Sequence, residues 1–394
     1  MCRADSVEHK AAKRTKVHRA RNAAPGNVDV GSRLVGERNK EAWKQEAWKP
    51  AKPRVDLRFL CWLLLELSWL SCPNATSLAQ PFHFPTANRE LLNEGGEARF
   101  FVGTVGKPWT SGMFGCVRTD GRQFHEGIDI RCLQRNRQGE PTDPILATAD
   151  GTVVYVNPQP GLSNYGRYIV IQHFIEGLEI YSLYAHLREI APGIEPGKKV
   201  QAGVPIAVMG RSTNTRQGIS KERAHVHFEL NLLVNERFEA WRLKNMPDQR
   251  NDHGQWNGHN LFGIDPRLVF LAQAQEKGQF QLLKFLRQQN ELCRVVVRDT
   301  SFPWLHRYIS LIRRNPIADR EGVAGYEIAL NYSGLPFQLV PRASREIAGP
   351  ARIQLLSVNE AEQANHSCGR LLAKRGGRWE LTASAVRWLD LLIF

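Results

Sequence analysis

The central part of the chain alternates between short apolar runs and turn residues. Five runs rich in Val, Ile, Tyr and Phe are bounded by Gly, Pro and Asn, a pattern typical of β-strands. They are GTVVYV (151–156), RYIVIQHF (167–174), LEIYSLYAHL (178–187), GVPIAVMG (203–210) and AHVHFELNLL (224–233). Strands this short and close predict a mainly β domain over residues 98–250, an antiparallel sheet or sandwich rather than a parallel α/β sheet.

The pattern changes beyond about residue 263. An amphipathic stretch over 278–293 predicts a helix, and CRVVVRD after it predicts a strand. YEIALNY and PFQLVPR predict a hairpin, and the last residues predict a helix that starts from Thr382 as N-cap. We therefore expect a smaller α/β module over residues 263–394, for which the sequence indicates no role.

The N-terminal region carries much of the net charge of +14. Residues 1–57 lack sustained periodicity, are basic and are predicted to be disordered, with a start site possible further downstream. Residues 58–79 resemble a secretory signal that ends near Ala79, because basic residues, an apolar core and small residues follow one another. An acylated Cys72, a membrane anchor and a buried apolar segment are the alternatives. The expected location is secreted or cell envelope.

Charge and cysteine content narrow the function classes. A basic chain favours polyanionic partners, but no recognition helix, zinc-finger spacing or RNA-binding signature is present, so nucleic acid is disfavoured.

Loss of residues up to 79 would leave Cys116, Cys132, Cys293 and Cys368. A Cys116–Cys132 bridge and free buried thiols are both compatible with the sequence. The chain has no Cys-x-x-Cys, which leaves a thiolate zinc site unsupported.

Candidate chemistry lies in two compact motifs. HEGID contains His125 and Asp129 around a glycine, and HVHFE places His225 and His227 two residues apart on a predicted strand. Residues i and i+2 of a strand project to the same side, about 6.5–7 Å apart. A third strand-like run ends at His186.

These residue types suit a catalytic zinc site, which needs three His or carboxylate ligands and an open position for water. His125, Asp129 and one member of the 225/227 pair would supply them. The other member and His186 would remain for proton transfer or oxyanion stabilisation. His173, a lone histidine on a strand, is more simply a packed residue, with a place near the groove as the alternative.

Several motifs together resemble the lysostaphin-type (LytM-like) zinc metallopeptidases. FGCVR, FHEGIDI, SNYGRYIVIQH, YSLYAHL, VQAGVPIAVMG and HVHFEL occur in the order seen in that family, over roughly residues 100–235. The resemblance implies hydrolysis of peptide bonds in peptidoglycan by a zinc enzyme. It also implies the site residues: His125, Asp129 and His227 as zinc ligands, His225 as general base, His186 at the tetrahedral intermediate, and Asn164 and Tyr165 beside the substrate groove.

The chain departs from the family before HVHFE. Its loop over residues 211–224 is long and contains Arg211, Arg216, Lys221 and Arg223, where the family has a compact turn. We expect each of these charged side chains to be solvated. As a set, and Arg211 in particular, they could attract the carboxylates of an acidic peptide.

Three functions follow as expectations. The first is a zinc endopeptidase that acts on cross-links or stem peptides of bacterial peptidoglycan. The second is a non-catalytic relative that binds the wall and activates another hydrolase; the presence of all five site residues favours the enzyme. The third is a wall-binding protein acting through residues 263–394.

Overall fold

The computed structural model describes residues 81–366, Cys368 and residues 370–394. The basic extension over residues 1–57 and the signal-like segment over 58–79 lie outside the described residues, so those interpretations stay predictions. Within the described residues, no helix has the length and apolar character needed to cross a membrane.

The described residues form strands and short helices in the following order. The strands are β1 (Gly115–Arg118), β2 (Gln123–His125), β3 (Ile128–Arg131), β4 (Pro144–Leu146), β5 (Gly151–Asn157), β6 (Arg167–Ile175), β7 (Leu178–Leu187), β8 (Glu189–Ile190), β9 (Lys199–Val200), β10 (Pro205–Val208), β11 (His225–Leu233), β12 (Leu261–Ile264), β13 (Cys293–Val297), β14 (Gly325–Leu330), β15 (Pro336–Arg342), β16 (Ile353–Val358), β17 (Leu372–Arg375) and β18 (Arg378–Leu381). The α-helices are α1 (Glu97–Phe100), α2 (Phe238–Asn245), α3 (Pro266–Gln275), α4 (Leu282–Arg287), α5 (Pro303–Arg307), α6 (Pro316–Glu321), α7 (Glu360–Asn365) and α8 (Ala383–Leu392).

A seven-stranded antiparallel sheet is the main scaffold. Its strand order is β12-β11-β7-β6-β5-β9, and β3 pairs with β11 beside β12. A three-stranded sheet (β4-β10-β8) and the β1–β2 hairpin complete this part of the fold. The predicted fold class, mainly antiparallel β, is confirmed, and each of the five predicted strands is present.

Strand β11 explains how this scaffold carries a polar site. All nine of its residues are buried. Val226, Phe228 and Leu230 pack into the apolar core. The intervening residues (His225, His227, Glu229 and Asn231) project from the opposite face, because side chains alternate along a strand. The strand is therefore apolar on one side and polar on the other, with both sides covered.

The C-terminal residues form a four-stranded antiparallel sheet, β15-β14-β13-β16, and the β17–β18 hairpin. The predicted hairpin and the terminal helix are confirmed, and the Thr382 side chain accepts from Ala385 N at 3.0 Å as the N-cap of α8. The predicted helix over 278–293 is wrong in extent, since α4 is only Leu282–Arg287. The carboxylate of Glu176, at the β6–β7 turn, accepts from the first two backbone N–H groups of α4, so a tertiary contact sets the start of the helix.

The C-terminal region packs directly on the main sheet. One cluster of buried side chains contains Phe228 and Phe270 together with Leu286, Trp304 and Leu389. Strand β12, which spans the proposed boundary at residue 263, pairs with β11 of the main sheet. The two regions therefore share a core, and their description as separate domains over 98–250 and 263–394 stays a prediction.

The cysteines correct one expectation. Cys116 forms a disulfide with Cys368, so the Cys116–Cys132 bridge is wrong. Cys132 is a buried free thiol that lies 3.1 Å from a carboxylate oxygen of Asp143. Cys293 is also free and buried, and burial raises the pKa of both thiols to about 12. The disulfide joins β1 to the loop before β17, and thus connects the site region to the C-terminal region.

Candidate metal centre

Three side chains converge because of strand register. Asp129 on β3 stands directly opposite His227 on β11 in the antiparallel pairing. His125 ends β2 and reaches the same place across Gly127. His125 Nε2 lies 3.1 Å from His227 Nδ1 and 3.2 Å from Asp129 Oδ1, and the third distance, Asp129 Oδ1 to His227 Nδ1, is 3.0 Å. All three residues are buried.

Gly127 is needed for this convergence because of its size. A Cβ at this position would lie 2.5 Å from the carbonyl oxygen of Phe228 and 2.9 Å from a ring carbon of His227. Any larger residue would therefore push β2 and β3 away from β11.

The remaining ring nitrogens of the two histidines are held by neighbours. His125 Nδ1 donates to the Met113 carbonyl at 2.7 Å, and His227 Nε2 donates to the Glu229 carboxylate at 2.8 Å. Glu229 in turn accepts from the Tyr165 hydroxyl at 2.7 Å and from the Asn231 amide at 2.8 Å. Each ring is therefore oriented with its other nitrogen toward Asp129, an arrangement typical of metal-binding histidines.

The geometry fits a small tetrahedral cation. Zinc binds His nitrogen and carboxylate oxygen at about 2.0–2.2 Å, so two ligand atoms of a tetrahedral site lie roughly 3.3 Å apart. The three distances between ligand atoms in this chain are 3.0–3.2 Å. Of the described residues, His125, Asp129 and His227 form a group able to hold a metal ion. Two nitrogens and one oxygen are a donor set that zinc accepts.

His186 and His225 line the same centre without joining the ligand set. Their ring centroids are 4.9 Å apart, and that of His186 is 6.0 Å from His227. His225 Nδ1 donates to the Arg223 carbonyl at 2.6 Å, and His186 Nδ1 donates to the Ser212 carbonyl at 2.9 Å. Both rings thus have Nε2 left for the site, and His225 Nε2 lies 3.5 Å from Asp129 Oδ2.

The backbone at His186 is strained. Its φ of 62° lies in the left-handed region, which is uncommon for residues other than glycine. Such strain persists only where surrounding contacts enforce it, and it concentrates at functional sites. Backbone bonds on either side, from His186 N to Tyr165 O and from Ser212 N to His186 O, hold the residue in place.

Burial and charge set the protonation states of the centre. Burial disfavours the charged imidazolium and lowers the pKa of His125, His225 and His186. Burial alone would raise the pKa of Asp129, but His225, His125 and Arg118 together hold it well below its usual range. For His227, burial is outweighed by hydrogen bonds to Asp129 and Glu229, which raise its pKa to about 9. The ionised Asp129 carboxylate thus lies among three rings whose neutral forms are favoured (His125, His186 and His225) and one, His227, whose protonated form is favoured.

Two residues of the centre were missed by the sequence interpretation. Glu229 follows His227 at i+2, so strand alternation alone would have placed it on the histidine face. Arg118 on β1 donates from one guanidinium nitrogen to Asp129 at 2.6 Å and to His125 Nε2 at 2.8 Å. No local pattern points to Arg118, because the β1–β2 pairing alone brings it there.

The structure separates the three predicted substrate-binding residues. Asn164 and Tyr165 line a groove of about 620 Å³ beside the centre, and the Tyr165 ring is 5.6 Å from the His227 ring. Arg211 lies elsewhere, with both of its donor nitrogens 3.0 Å from the carboxylate of Glu140. Its fork is therefore already engaged, and a substrate role for Arg211 stays a prediction without structural support.

Comparison with known proteins finds a family match over the segment that contains the candidate site. The sequence model of peptidase family M23 matches residues 123–238. No curated protein matches the sequence. Among solved structures, a zinc-containing peptidase from Vibrio cholerae is 29% identical over 27% of this chain and 26% of its own, with a TM-score of 0.20. The matched region is thus about a quarter of that relative.

Two further solved structures are catalytic domains. That of the prophage-encoded M23 protein EnpA from Enterococcus faecalis is 25% identical over 30% of this chain and 75% of its own, with a TM-score of 0.23. That of lysostaphin from Staphylococcus simulans is 21% identical over 30% of this chain and 74% of its own, with a TM-score of 0.21. The segment that matches the model of peptidase family M23, residues 123–238, is thus the one that contains the converging His125, Asp129 and His227.

Proposed function

We propose that this protein is a zinc-dependent endopeptidase that hydrolyses peptide cross-links or stem peptides of bacterial peptidoglycan. The observation that carries the proposal is the convergence of His125, Asp129 and His227 within hydrogen-bond distance of one another, inside the matched family region. Three oriented His and carboxylate ligands, with a fourth position left for water, are what a catalytic zinc ion requires. The proposed location is secreted or cell envelope.

The roles of the remaining residues follow from their free nitrogens. Zinc held by the three ligands would lower the pKa of a bound water toward neutrality. His225 presents Nε2 to the centre as a hydrogen-bond acceptor, since its Nδ1–H is given to Arg223, and we assign it the role of general base. His186 Nε2 is also an acceptor until it receives a proton, after which it can donate to the oxyanion of a tetrahedral intermediate.

The groove provides the place for a peptide. It is bounded on one side by Phe124, Glu126 and Tyr165, which adjoin the metal ligands. On the other side it is bounded by residues of the C-terminal region. An extended peptide placed there would present one of its bonds to the centre. The C-terminal region therefore shapes the substrate site in this proposal, rather than acting as a separate wall-binding module.

Digestion of purified cross-linked muropeptides by the full-length chain tests the proposal. We expect new fragments in mass spectrometry, their loss with a chelator, and recovery when zinc is added back. Asp129→Ala should be inactive and Asp319→Ala, a change of an exposed carboxylate on α6, should match the parent. A parent that holds stoichiometric zinc and cleaves no muropeptide would refute the enzyme and favour the non-catalytic alternative.

A further inference from the structure

We propose that Arg370 is the carboxylate-binding residue of the groove, and that it recognises an acidic group on the substrate peptide. This inference rests on the proposed function and specifies its substrate: a peptide that carries a free carboxylate beside the bond to be cleaved. Arg370 belongs to the C-terminal region, which lies beyond the segment matched by the family model.

The guanidinium of Arg370 is clamped between two aromatic rings. Its central carbon lies 4.4 Å from the centroid of Phe124 on one side and 4.3 Å from that of Trp388 on the other. Arginine stacks favourably on aromatic faces, and stacking removes most of the rotational freedom of a long side chain. The planar fork of Arg370 is therefore held in one orientation before any ligand arrives.

The donors of this clamped fork are not used within the described part of the protein. No acceptor among the described residues makes a hydrogen bond with the Arg370 guanidinium, and the nearest carboxylate oxygen, on Glu126, is 3.9 Å away. By contrast, Arg118 and Arg211 both give their donors to carboxylates at 3.0 Å or less. Arginine forks bind carboxylates with two parallel hydrogen bonds, so an oriented fork that forms only a long ion pair with Glu126 and no hydrogen bond is a site for such a group.

The position of Arg370 connects it to the reaction centre. Phe124, one face of the clamp, immediately precedes the proposed ligand His125 and pairs with Cys116 across the β1–β2 hairpin. Cys116 is bonded to Cys368, two residues before Arg370. The disulfide thus fixes the loop that carries Arg370 to the β1–β2 hairpin, which carries the proposed ligand His125. Arg370 lines the groove, and His125 lies beside it, next to the lining residue Phe124.

The charge of the groove agrees with an anionic ligand. Arg122 and Arg387 also line it, and neither forms an ion pair with a described residue. Glu126 is the acidic side chain on the wall, and it is 45% exposed. Among its described lining residues the groove therefore has an excess of positive charge, and the fork of Arg370 is oriented between two aromatic rings. A peptide carboxylate satisfies both features.

The test compares two synthetic stem-peptide dimers, one with free carboxylates and one with the same carboxylates amidated. Binding to the chelator-treated full-length protein is measured by calorimetry, so that no hydrolysis interferes. We expect the parent to bind the acidic dimer at least about tenfold more tightly. Arg370→Gln should weaken binding of the acidic dimer about 10- to 100-fold and leave binding of the amidated dimer unchanged. Arg314→Gln, a change of an exposed arginine before α6, should behave as the parent.

Two further variants keep the test decisive if Arg370→Gln unfolds. Arg370→Lys retains charge but not the fork, and should recover only part of the preference. Glu126→Gln removes the competing carboxylate and should increase the affinity of the protein for the acidic dimer. Equal affinity of the parent for both dimers, or a full preference in Arg370→Gln and Arg370→Lys, would overturn the proposal. Hydrolysis by the zinc-loaded parent is scored separately: cleavage without the preference overturns the subsite alone, and the preference without cleavage overturns the proposed function alone.

Discussion

Glu229 offers a sharp test of how the centre is built. Its carboxylate is buried and accepts hydrogen bonds from the Tyr165 hydroxyl, the Asn231 amide and His227 Nε2. Burial alone would raise its pKa, but these partners lower it, so the group is ionised. An anion on one side of the His227 ring makes the other nitrogen a stronger metal ligand. Glu229→Gln removes that charge and keeps the shape, whereas Glu229→Ala also frees the ring to rotate.

The expected loss follows from these contacts. Replacing an outer partner of a metal-ligating histidine typically costs 10- to 100-fold in metal affinity. This range corresponds to about 1.4–2.8 kcal/mol, the free energy of one charge-assisted hydrogen bond. We expect Glu229→Gln near the lower end, because Tyr165 and His227 can still donate to its amide oxygen. Glu229→Ala should lie near the upper end, because all three hydrogen bonds are lost.

Zinc affinity is measured by competition with a coloured chelator, together with thermal unfolding of the metal-free protein. Glu327→Gln is the matched control: Glu327 is also a buried carboxylate, but it pairs with Arg294 and Arg342 in the C-terminal sheet. It should lower stability and leave zinc affinity unchanged. If both Glu229 variants bind zinc as tightly as the parent while Asp129→Asn does not, the orienting role of Glu229 is refuted.

Three other predictions follow from separate contacts. His225→Ala should slow hydrolysis by at least about 100-fold but still bind zinc, whereas His227→Ala should lose zinc. Hydrolysis rates and the zinc content of both variants are measured. If the two variants lose the same amount of zinc, the prediction is contradicted. Burial lowers the pKa of His173 to about 4, below the value of about 6.5 in the unfolded chain. The neutral ring therefore contributes fully to the free energy of unfolding above pH 6.5, and about 3 kcal/mol of that contribution is lost as the pH drops to 4. Denaturant unfolding curves of His173→Gln should not show this loss. A reductant should destabilise the parent by about 2–4 kcal/mol and leave the Cys116→Ser/Cys368→Ser variant unaffected.

The strands of the scaffold could be predicted from local pattern, and the reason is physical. Runs such as those that form β6, β7 and β11 are dense in β-branched and aromatic residues and end at turn residues, so their preference agrees with their tertiary environment. Helix α4 could not be bounded in this way. Its amphipathic pattern continues past Arg287, but its start depends on Glu176, a residue more than a hundred positions earlier.

The candidate site shows the same division. His125, Asp129, His225 and His227 lie in two short motifs, where spacing within a bend or along a strand is enough to suggest a shared ion. Strand alternation also places Glu229 on the face of His227, but the sequence gives no chemical role for it. Its hydrogen bond to His227 in the structure supplies that role. The partner of Cys116 was not within reach, because the pairing joins residues separated by 252 positions.

The sequence by itself thus determined the mainly β class, the histidines and the aspartate that converge at the candidate metal centre, and the family that they resemble. These properties are written in neighbouring residues, through strand periodicity and ligand spacing. Only the tertiary structure decided that the C-terminal region closes one side of the groove, that a disulfide fixes it there, and that Arg370 stands clamped over Phe124. Contacts between distant segments depend on how whole sheets pack, and no local pattern of residues encodes that packing.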